Sequence, residues 1–587
     1  MFFVQTLALL LALGGCSSAP KLERIVGEPP KVTIELTHLA LDEWQVEYVL
    51  SRFVTGLVFA DDDDGFRKTH WKPSLELTAW SGDHVVCTRP AGCDRFQFRF
   101  KTTLQPFAEN YEFFHAFKDG ARTVFLRYLR VRPWICTGPP GSAGKDLQAC
   151  TQNLQTMSET MTLLTRLPER IYANGIATEV QRFNVRGQRR YAYFGRGRII
   201  DQQWKDEYSD YEARVTSWII DEEMPGWIKE LVPRKLPAIF GVLASDVSKK
   251  FPITTELLLG YESSADRNLE LRGGNIRGQV QATLSGRPWM KRSTEGVRRL
   301  VTVLVHELAH TWTSQIPIRA KGASSSWVEE GGTDALAYVA ARRSGFIGEQ
   351  DHKDLWTSAI NRCLIGLSGR NPLNLEPGPD GGFNPLYSCG SVLWLTAGRL
   401  VKPRDPVAGV LELWNFTLFD HKERELLTEN LVLGGWKRRG LHRPSIERIE
   451  RIASSASPER PAWLKQALKE AGVKLAPART ITDEGTRSDL ALSLLNRILP
   501  EACKGVRAFP TERGFSVQPK EGCPLFAQAT EIRTIGGVSL ADPLKAHDRA
   551  ASECGRKKKV ELGGSRKIKV ECGKIGAKPA IYTVMSL

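Results

Sequence analysis

The sequence predicts a multidomain chain of α/β and α+β parts. It has an N-terminal β-rich domain, a central domain that joins a short sheet to helices, a mostly helical part behind it, and a small C-terminal β domain. Three observations predict this. Apolar and polar residues alternate through the first hundred residues, apolar residues recur at three- and four-residue spacing between about 293 and 475, and alternation returns near the C-terminus. A length of 587 residues allows several domains, each with its own core.

Met1 to Gly15 is a largely apolar run that closes on Leu13-Gly14-Gly15-Cys16. It is short for a permanent membrane helix and fits a secretory signal peptide over residues 1–15. Leu13-Gly14-Gly15-Cys16 resembles a bacterial lipobox, which implies that Cys16 is lipidated and becomes the mature N-terminus. Ser17 resembles the rule that sorts such proteins to the outer membrane. No lysine or arginine precedes the apolar core, a departure from the usual signal, and an ordinary cleaved signal with an incidental cysteine is the alternative. The expectation is a protein of the bacterial cell envelope, lipid-anchored at the outer membrane and facing the periplasm or the cell surface.

No later run reaches about 18 apolar residues, so no further membrane span is expected. The formal net charge of +15 suits anionic lipid, cell-wall polymer or acidic substrates, or simply a soluble basic surface. An exported chain without a nucleic-acid-binding motif is not expected to bind nucleic acid. Eleven cysteines less Cys16 leave ten, and these fall as sequence neighbours. The simplest framework is Cys87–Cys93, Cys136–Cys150, Cys363–Cys389, Cys503–Cys523 and Cys554–Cys572, consistent with an oxidising compartment.

Residues 16–150 read as the β-rich domain. Val32-Ile34-Leu36, Trp44-Val46-Tyr48 and Phe96-Phe98-Phe100 each alternate with polar residues, the period of half-buried strands. The run Asp61-Asp62-Asp63-Asp64-Gly65 lacks the spaced carboxylates of a calcium loop and reads as an exposed turn. Residues 151–225 read as a mixed α/β connector.

Residues 226–390 carry the chemistry. Trp227 to Lys249 reads as a helix interrupted near Pro233 and Pro237, followed by strands over Ile253–Leu259 and Ile276–Leu284. A helix then starts at Ser293 or Thr294, with Glu295 in its first turn and Val297, Leu300, Val301, Leu304, Val305 and Leu308 at helical spacing. Ile316-Pro317 is expected to end it. On it lies Val305-His306-Glu307-Leu308-Ala309-His310. His306 and His310, four apart, project from one face and can grip one metal ion, with Glu307 beside them to take a proton from a bound water.

A second helix begins near Trp327 and must bring the third ligand. Glu329 and Glu330 both qualify by position. Asp334 lies one turn after Glu330 and suits the carboxylate that orients a metal-bound histidine, whereas Glu329 has only Thr333 at that offset. Glu330 is therefore taken as the ligand, with Glu329 as the alternative.

His306-Glu307-Leu308-Ala309-His310 with Trp327-Val328-Glu329-Glu330-Gly331 resembles the gluzincin metallopeptidases, the clan of thermolysin and aminopeptidase N. The resemblance implies a thermolysin-like catalytic domain, one Zn2+ ion on His306, His310 and Glu330, and Glu307 as general base. In aminopeptidase N relatives the third ligand lies in a W-x-x-E-G context, which favours Glu330. The same enzymes carry a tyrosine in a Y-x-x-G setting that steadies the tetrahedral intermediate, and Tyr387-Ser388-Cys389-Gly390 is similar to it. Arg272-Gly273-Gly274-Asn275 occupies the region of their G-x-M-E-N sequence. The glutamate that holds the substrate's amino terminus there has no counterpart here, so exo- and endopeptidase remain open.

Residues 391–475 read as a helical subdomain, with Val392-Leu393-Leu395 and Val410-Leu411-Leu413 as core faces. In residues 476–587, Gly514-Phe515-Ser516-Val517, Ile532–Leu540, a helix over Pro543–Ser552 and a hairpin at Val560 and Val570 resemble a PDZ domain in element order. Gly514-Phe515 is expected where such domains bind a peptide C-terminus. Arg556-Lys557-Lys558-Lys559 reads as a solvated face.

The reaction implied is zinc-dependent hydrolysis of a peptide bond in a peptide or protein substrate, with Tyr387 stabilising the oxyanion. The competing expectation is a non-catalytic, lipid-anchored scaffold protein with a vestigial zinc site. Oligomeric state has no signature in the sequence.

Overall fold

The structure is a computed structural model that describes residues 30–59, 65–89, 91–102, 114–117, 121–134, 159–173, 176–178, 181–185, 191–195, 214–247, 254–262, 269–276, 279–314, 326–368, 373, 385–419, 427–503, 506, 508–511, 514–518, 522–572 and 575–587. Cys16, the Cys136–Cys150 pair and the run Asp61–Asp64 lie outside the described residues. The chain divides into two compact units, residues 1–116 with 120–196, and 117–119 with 197–587.

The first unit is built from β-sheets. Val32–Ala40 and Glu43–Val54 form an antiparallel pair at the centre of a six-stranded sheet, with Cys93–Lys101 beside the second of them. The alternating residues point inward as their period requires: Val32, Ile34, Leu36, Trp44, Val46, Tyr48, Phe96, Phe98 and Phe100 are all buried. Cys87 and Cys93 form a disulfide beside this sheet. The unit does not end at residue 150. Glu159–Thr165 lies parallel to Val32–Ala40, Val32 opposite Glu159, and Arg182–Val185 continues the sheet. Two further strands, Arg170–Ala173 and Tyr191–Gly195, join Arg122–Phe125 in a second sheet. Among the described residues the expected α/β connector is therefore strand up to Gly195. A parallel partner more than a hundred residues away leaves no local signal, which is why the boundary was misplaced.

The second unit starts with a four-stranded sheet in the order Arg214–Ile220, Thr254–Glu262, Gln279–Ser285, Glu270–Ile276. The first three strands are parallel, and Glu270–Ile276 is the antiparallel edge. The strand expected over Ile276–Leu284 is Gln279–Ser285, and its antiparallel partner Glu270–Ile276 was not expected. Helix Gly226–Val242 crosses between the first two strands and is continuous through Pro233 and Pro237, contrary to the expected interruption. Each proline removes a hydrogen bond, but burial of Ile228, Leu231, Val232, Leu236, Ile239 and Phe240, at roughly 1.5–3 kcal/mol per large side chain, outweighs that loss.

Helices Ser326–Arg343, Glu349–Leu367, Leu386–Val401 and Pro406–Phe419 pack behind the sheet, and Glu429–Arg438, Arg443–Ser454 and Arg460–Glu470 follow. Leu386–Val401 runs through the boundary expected at residue 390, because its apolar residues are buried along nearly its whole length. Among the described residues no helix is long and apolar enough to cross a membrane.

The C-terminal part differs from expectation in four ways. A 19-residue helix, Glu484–Ala502, opens it, capped by Asp483, whose carboxylate accepts from the Thr486 amide at 2.8 Å. The last strand, Tyr582–Ser586, returns to pair with Lys474–Pro477 across the boundary expected at residue 476. Gly514–Val517 is paired on both sides, with Ala508–Thr511 and with Thr530–Ile535. That strand has no free edge at Gly514-Phe515 for a peptide to join. The helix expected to end at Ser552 runs from Pro543 to Lys557. Disulfides Cys503–Cys523 and Cys554–Cys572 tie this part together, and Cys363–Cys389 joins two helices of the main core.

One contact fixes the helices that matter for function. A Cβ on Gly331 would lie 2.3 Å from the Gly390 Cα, and one on Gly390 would lie 2.2 Å from the Trp327 carbonyl oxygen. Helices Ser326–Arg343 and Leu386–Val401 therefore touch backbone to backbone, which only glycine permits. Indole N–H groups anchor the first helix from behind: Trp327 donates to Glu429 at 3.3 Å, and Trp414 donates to the Gly332 carbonyl at 2.9 Å. Gly390→Ala should lower the stability of this unit by about 1–3 kcal/mol, as overpacking does. The midpoint of its urea unfolding measures this, and an unchanged midpoint would show that the crossing is looser than described.

Candidate active site

The helix bearing the histidines has three pieces: Thr294–Arg299, a π-helical turn Leu300–Val305, and His306–Thr313. Ser293 caps it, its hydroxyl accepting from the Gly296 amide at 3.0 Å. Leu300, Val301, Leu304 and Val305 are buried in the turn just before His306. A π-helical turn shifts the phase of a helix, so the apolar face before it and the histidine face after it are set independently. The helix ends at Thr313; Ile316-Pro317 lies outside the described residues.

His306 Nε2 and His310 Nε2 are 3.0 Å apart, and Glu330 Oε2 is 3.3 Å from each. A tetrahedral ion with bonds of about 2.0–2.1 Å places its ligand atoms roughly 3.3 Å apart, so this triangle fits a zinc-sized cation. Glu330, not Glu329, joins the two histidines. The Gly331–Gly390 contact explains this. Glu330 precedes the touching glycine of one helix, Tyr387 lies one turn before that of the other, and both turn towards His306.

The outer nitrogens are also engaged. His306 Nδ1 donates to Asp334 Oδ1 at 2.8 Å, which leaves the Nε2 lone pair facing the other ligands. His310 Nδ1 lies 3.2 Å from the Thr313 hydroxyl, which is 2.9 Å from that of Thr333. Asp334 thus occupies the place expected of it. Thr313 and Thr333 are partners that sequence reasoning missed. Thr333 had been passed over as a weak orienter, and it reaches His310 only through Thr313.

Asn275 was missed as well. Its side-chain amide donates to the Glu307 carbonyl at 2.6 Å and to the Thr311 hydroxyl at 2.9 Å, tying the edge strand Glu270–Ile276 to the histidine helix. Those partners are 32 and 36 residues away, and no local pattern announces them. Together these elements bound a cleft of about 600 Å³ that exposes Glu307, Glu329, Glu330 and Tyr387 beside the histidines.

The electrostatics are those of crowded carboxylates. Burial would raise Glu330, but hydrogen bonds from His306 and His310 outweigh it and hold the group well below the usual carboxylate range. Burial raises Glu307 against the pull of the two histidines. Burial, then the charge of Glu330, pushes Glu329 up to about 7. Burial also raises the Tyr387 phenol, helped by Glu330, Asp334 and Glu307, so it stays protonated as a hydrogen-bond donor, with Glu330 as a partner. The Tyr387 ring centroid lies 5.8 Å from that of His306, and the side chain is 41% exposed.

The chain has the fold of an aminopeptidase N family protein. It is similar over nearly its whole length to the solved structure of one from Idiomarina loihiensis, with a TM-score of 0.59, 11% identity, and coverage of 94% of this chain and 98% of that one. A likeness to an M1 zinc metallopeptidase from Deinococcus radiodurans is weaker, with a TM-score of 0.40, 13% identity, and coverage of 73% of this chain and 95% of that one. No protein-family profile matches the sequence. No curated protein sequence matches it either.

Loss of the carboxylate on His306 should weaken metal binding. Asp334→Ala is expected to lower zinc affinity about 10–100-fold in a chelator-competition titration. Unchanged affinity would mean that His306 is oriented by something else.

Proposed function

We propose that this chain is a zinc-dependent peptidase of the gluzincin type that hydrolyses peptide bonds at the bacterial envelope. The observation that carries the reading is the triangle of His306 Nε2, His310 Nε2 and Glu330 Oε2, with edges of 3.0–3.3 Å, opening on a cleft. A structural zinc site is usually closed by a fourth protein ligand, and no fourth group joins these three among the described residues. The aminopeptidase N fold supports the same reading by analogy.

Zinc held by these residues supplies Lewis acidity, polarising a substrate carbonyl and acidifying a water beside it. The chain's own groups do the rest. Glu307, half-buried beside both imidazoles with its proton affinity raised, takes the proton from the attacking water and returns it to the leaving amine. Tyr387, held protonated at the cleft wall, donates to the oxygen on which negative charge develops. Asn275, through the Glu307 carbonyl and the Thr311 hydroxyl, and Asp334, through His306, position the machinery. Among the described residues the strand Glu270–Ile276 is the edge of its sheet, the place where an extended peptide can add as a further strand. The signal over residues 1–15 and the lipid anchor on Cys16 supply the envelope location in this reading, and the C-terminal part is read as a PDZ-like module on element order alone.

Glu307→Gln keeps the shape of the side chain and removes its base. It should retain zinc at the wild-type stoichiometry and lose about 10²–10⁴ in turnover of a peptide library. Wild-type turnover in the variant would remove Glu307 as the base. Absence of both zinc and hydrolysis from the wild-type protein would instead favour a scaffold role.

A further inference from the structure

The cleft at the metal site does not stop there. A second cleft of about 680 Å³ shares Leu271, Arg272, Thr302 and Tyr387 with the first and continues along the start of the edge strand, Leu269 and Glu270. Its far wall comes from the C-terminal part: Asp483 and Glu484 at the head of helix Glu484–Ala502, and Pro510 and Thr511 on the outer strand of its sheet. The two clefts therefore adjoin at these four residues, and read together as one channel they extend from the candidate metal ligands to the C-terminal module. Resting on the peptidase reading, we propose that this channel holds the part of the substrate C-terminal to the cleaved bond. The occupant is an extended polypeptide of at least about four residues beyond that bond, with a basic side chain at the module end.

Direction and length follow from strand geometry. A peptide adding to an edge strand pairs best in the antiparallel sense, so its C-terminal side runs from Gly273 towards Leu269. Four residues of strand at roughly 3.3 Å each cover about 13 Å before the module wall begins. The charge preference follows from pairing. Arg272 is paired with Glu270, Arg298 with Asp354, Arg299 with Glu295, and Arg362 with Asp489. Every guanidinium on the channel wall is thus matched by a carboxylate. Asp483 is engaged as the helix cap and by Ser358, which donates to it at 2.9 Å, so the exposed Glu484 is the carboxylate left in excess among the described residues. A lysine or arginine of the substrate is the complementary group.

The test uses the full-length zinc-loaded protein and quenched fluorescent peptides that share one sequence up to the cleaved bond and carry one to six residues after it. Because each added residue brings backbone hydrogen bonds, kcat/KM should climb about tenfold or more up to the fourth residue and then level off. With the long peptides, lysine at the fifth position should exceed glutamate about two- to fivefold. Glu484→Gln should erase that ratio and Glu484→Lys should invert it; a ratio within one protein preparation is insensitive to the fraction folded. Cleavage indifferent to length, or a lysine-to-glutamate ratio that both variants leave unchanged, overturns the channel and leaves the peptidase reading standing. Failure to cleave any peptide of the series overturns both.

Discussion

The contact between Gly331 and Gly390 is the constraint on which the site depends, because it sets how closely two helices approach behind the candidate metal ligands. Close approach brings Glu330 and Tyr387 to the same side of His306 and holds them there. Everything around the crossing keeps it from relaxing. Trp394 stacks on Trp414 with ring centroids 4.4 Å apart, Trp436 meets Trp394 edge-on, and the Cys363–Cys389 disulfide ties the neighbouring helix to the residue next to Gly390. A side chain at either glycine would separate the helices and move the Glu330 carboxylate and the Tyr387 phenol relative to His306.

That packing concentrates carboxylates in a partly buried cleft. Glu307, Glu329, Glu330 and Asp334 share one neighbourhood with two imidazoles, and burial raises Glu307 and Glu329. Such a cluster is stabilised by a cation, and its donor set of two imidazole nitrogens and one carboxylate suits zinc. The orienting bonds from Asp334, and from Thr313 with Thr333, keep the nitrogen lone pairs pointed inward. Fold, charge and tautomer thus agree on the same small volume.

How much of this could be read in the sequence depended on distance along the chain. Two histidines four apart on a helix are a local pattern, and Asp334 one turn after Glu330 is another, so both were legible. Strand alternation in Val32–Ala40 and Glu43–Val54 was legible for the same reason. Asn275, thirty residues and more from its partners, was not, and neither was the parallel strand Glu159–Thr165. The helix Glu484–Ala502 was overlooked although Asp483 is a sound cap, because no known element pattern led the eye there. The tyrosine motif was found only by resemblance, and its glycine gains a physical reason from the helix crossing. Gly514-Phe515 matched a pattern locally, yet a second neighbouring strand occupies the edge that the pattern requires.

The central claim is that His306, His310 and Glu330 alone hold a zinc ion and leave one position for solvent. X-ray absorption at the zinc edge of the purified, zinc-loaded protein reads the shell directly. The account predicts a four-coordinate ion with two imidazoles and oxygen, all at about 2.0–2.1 Å, and no sulfur. A sulfur shell near 2.3 Å, or a shell with three or more imidazoles, would contradict it.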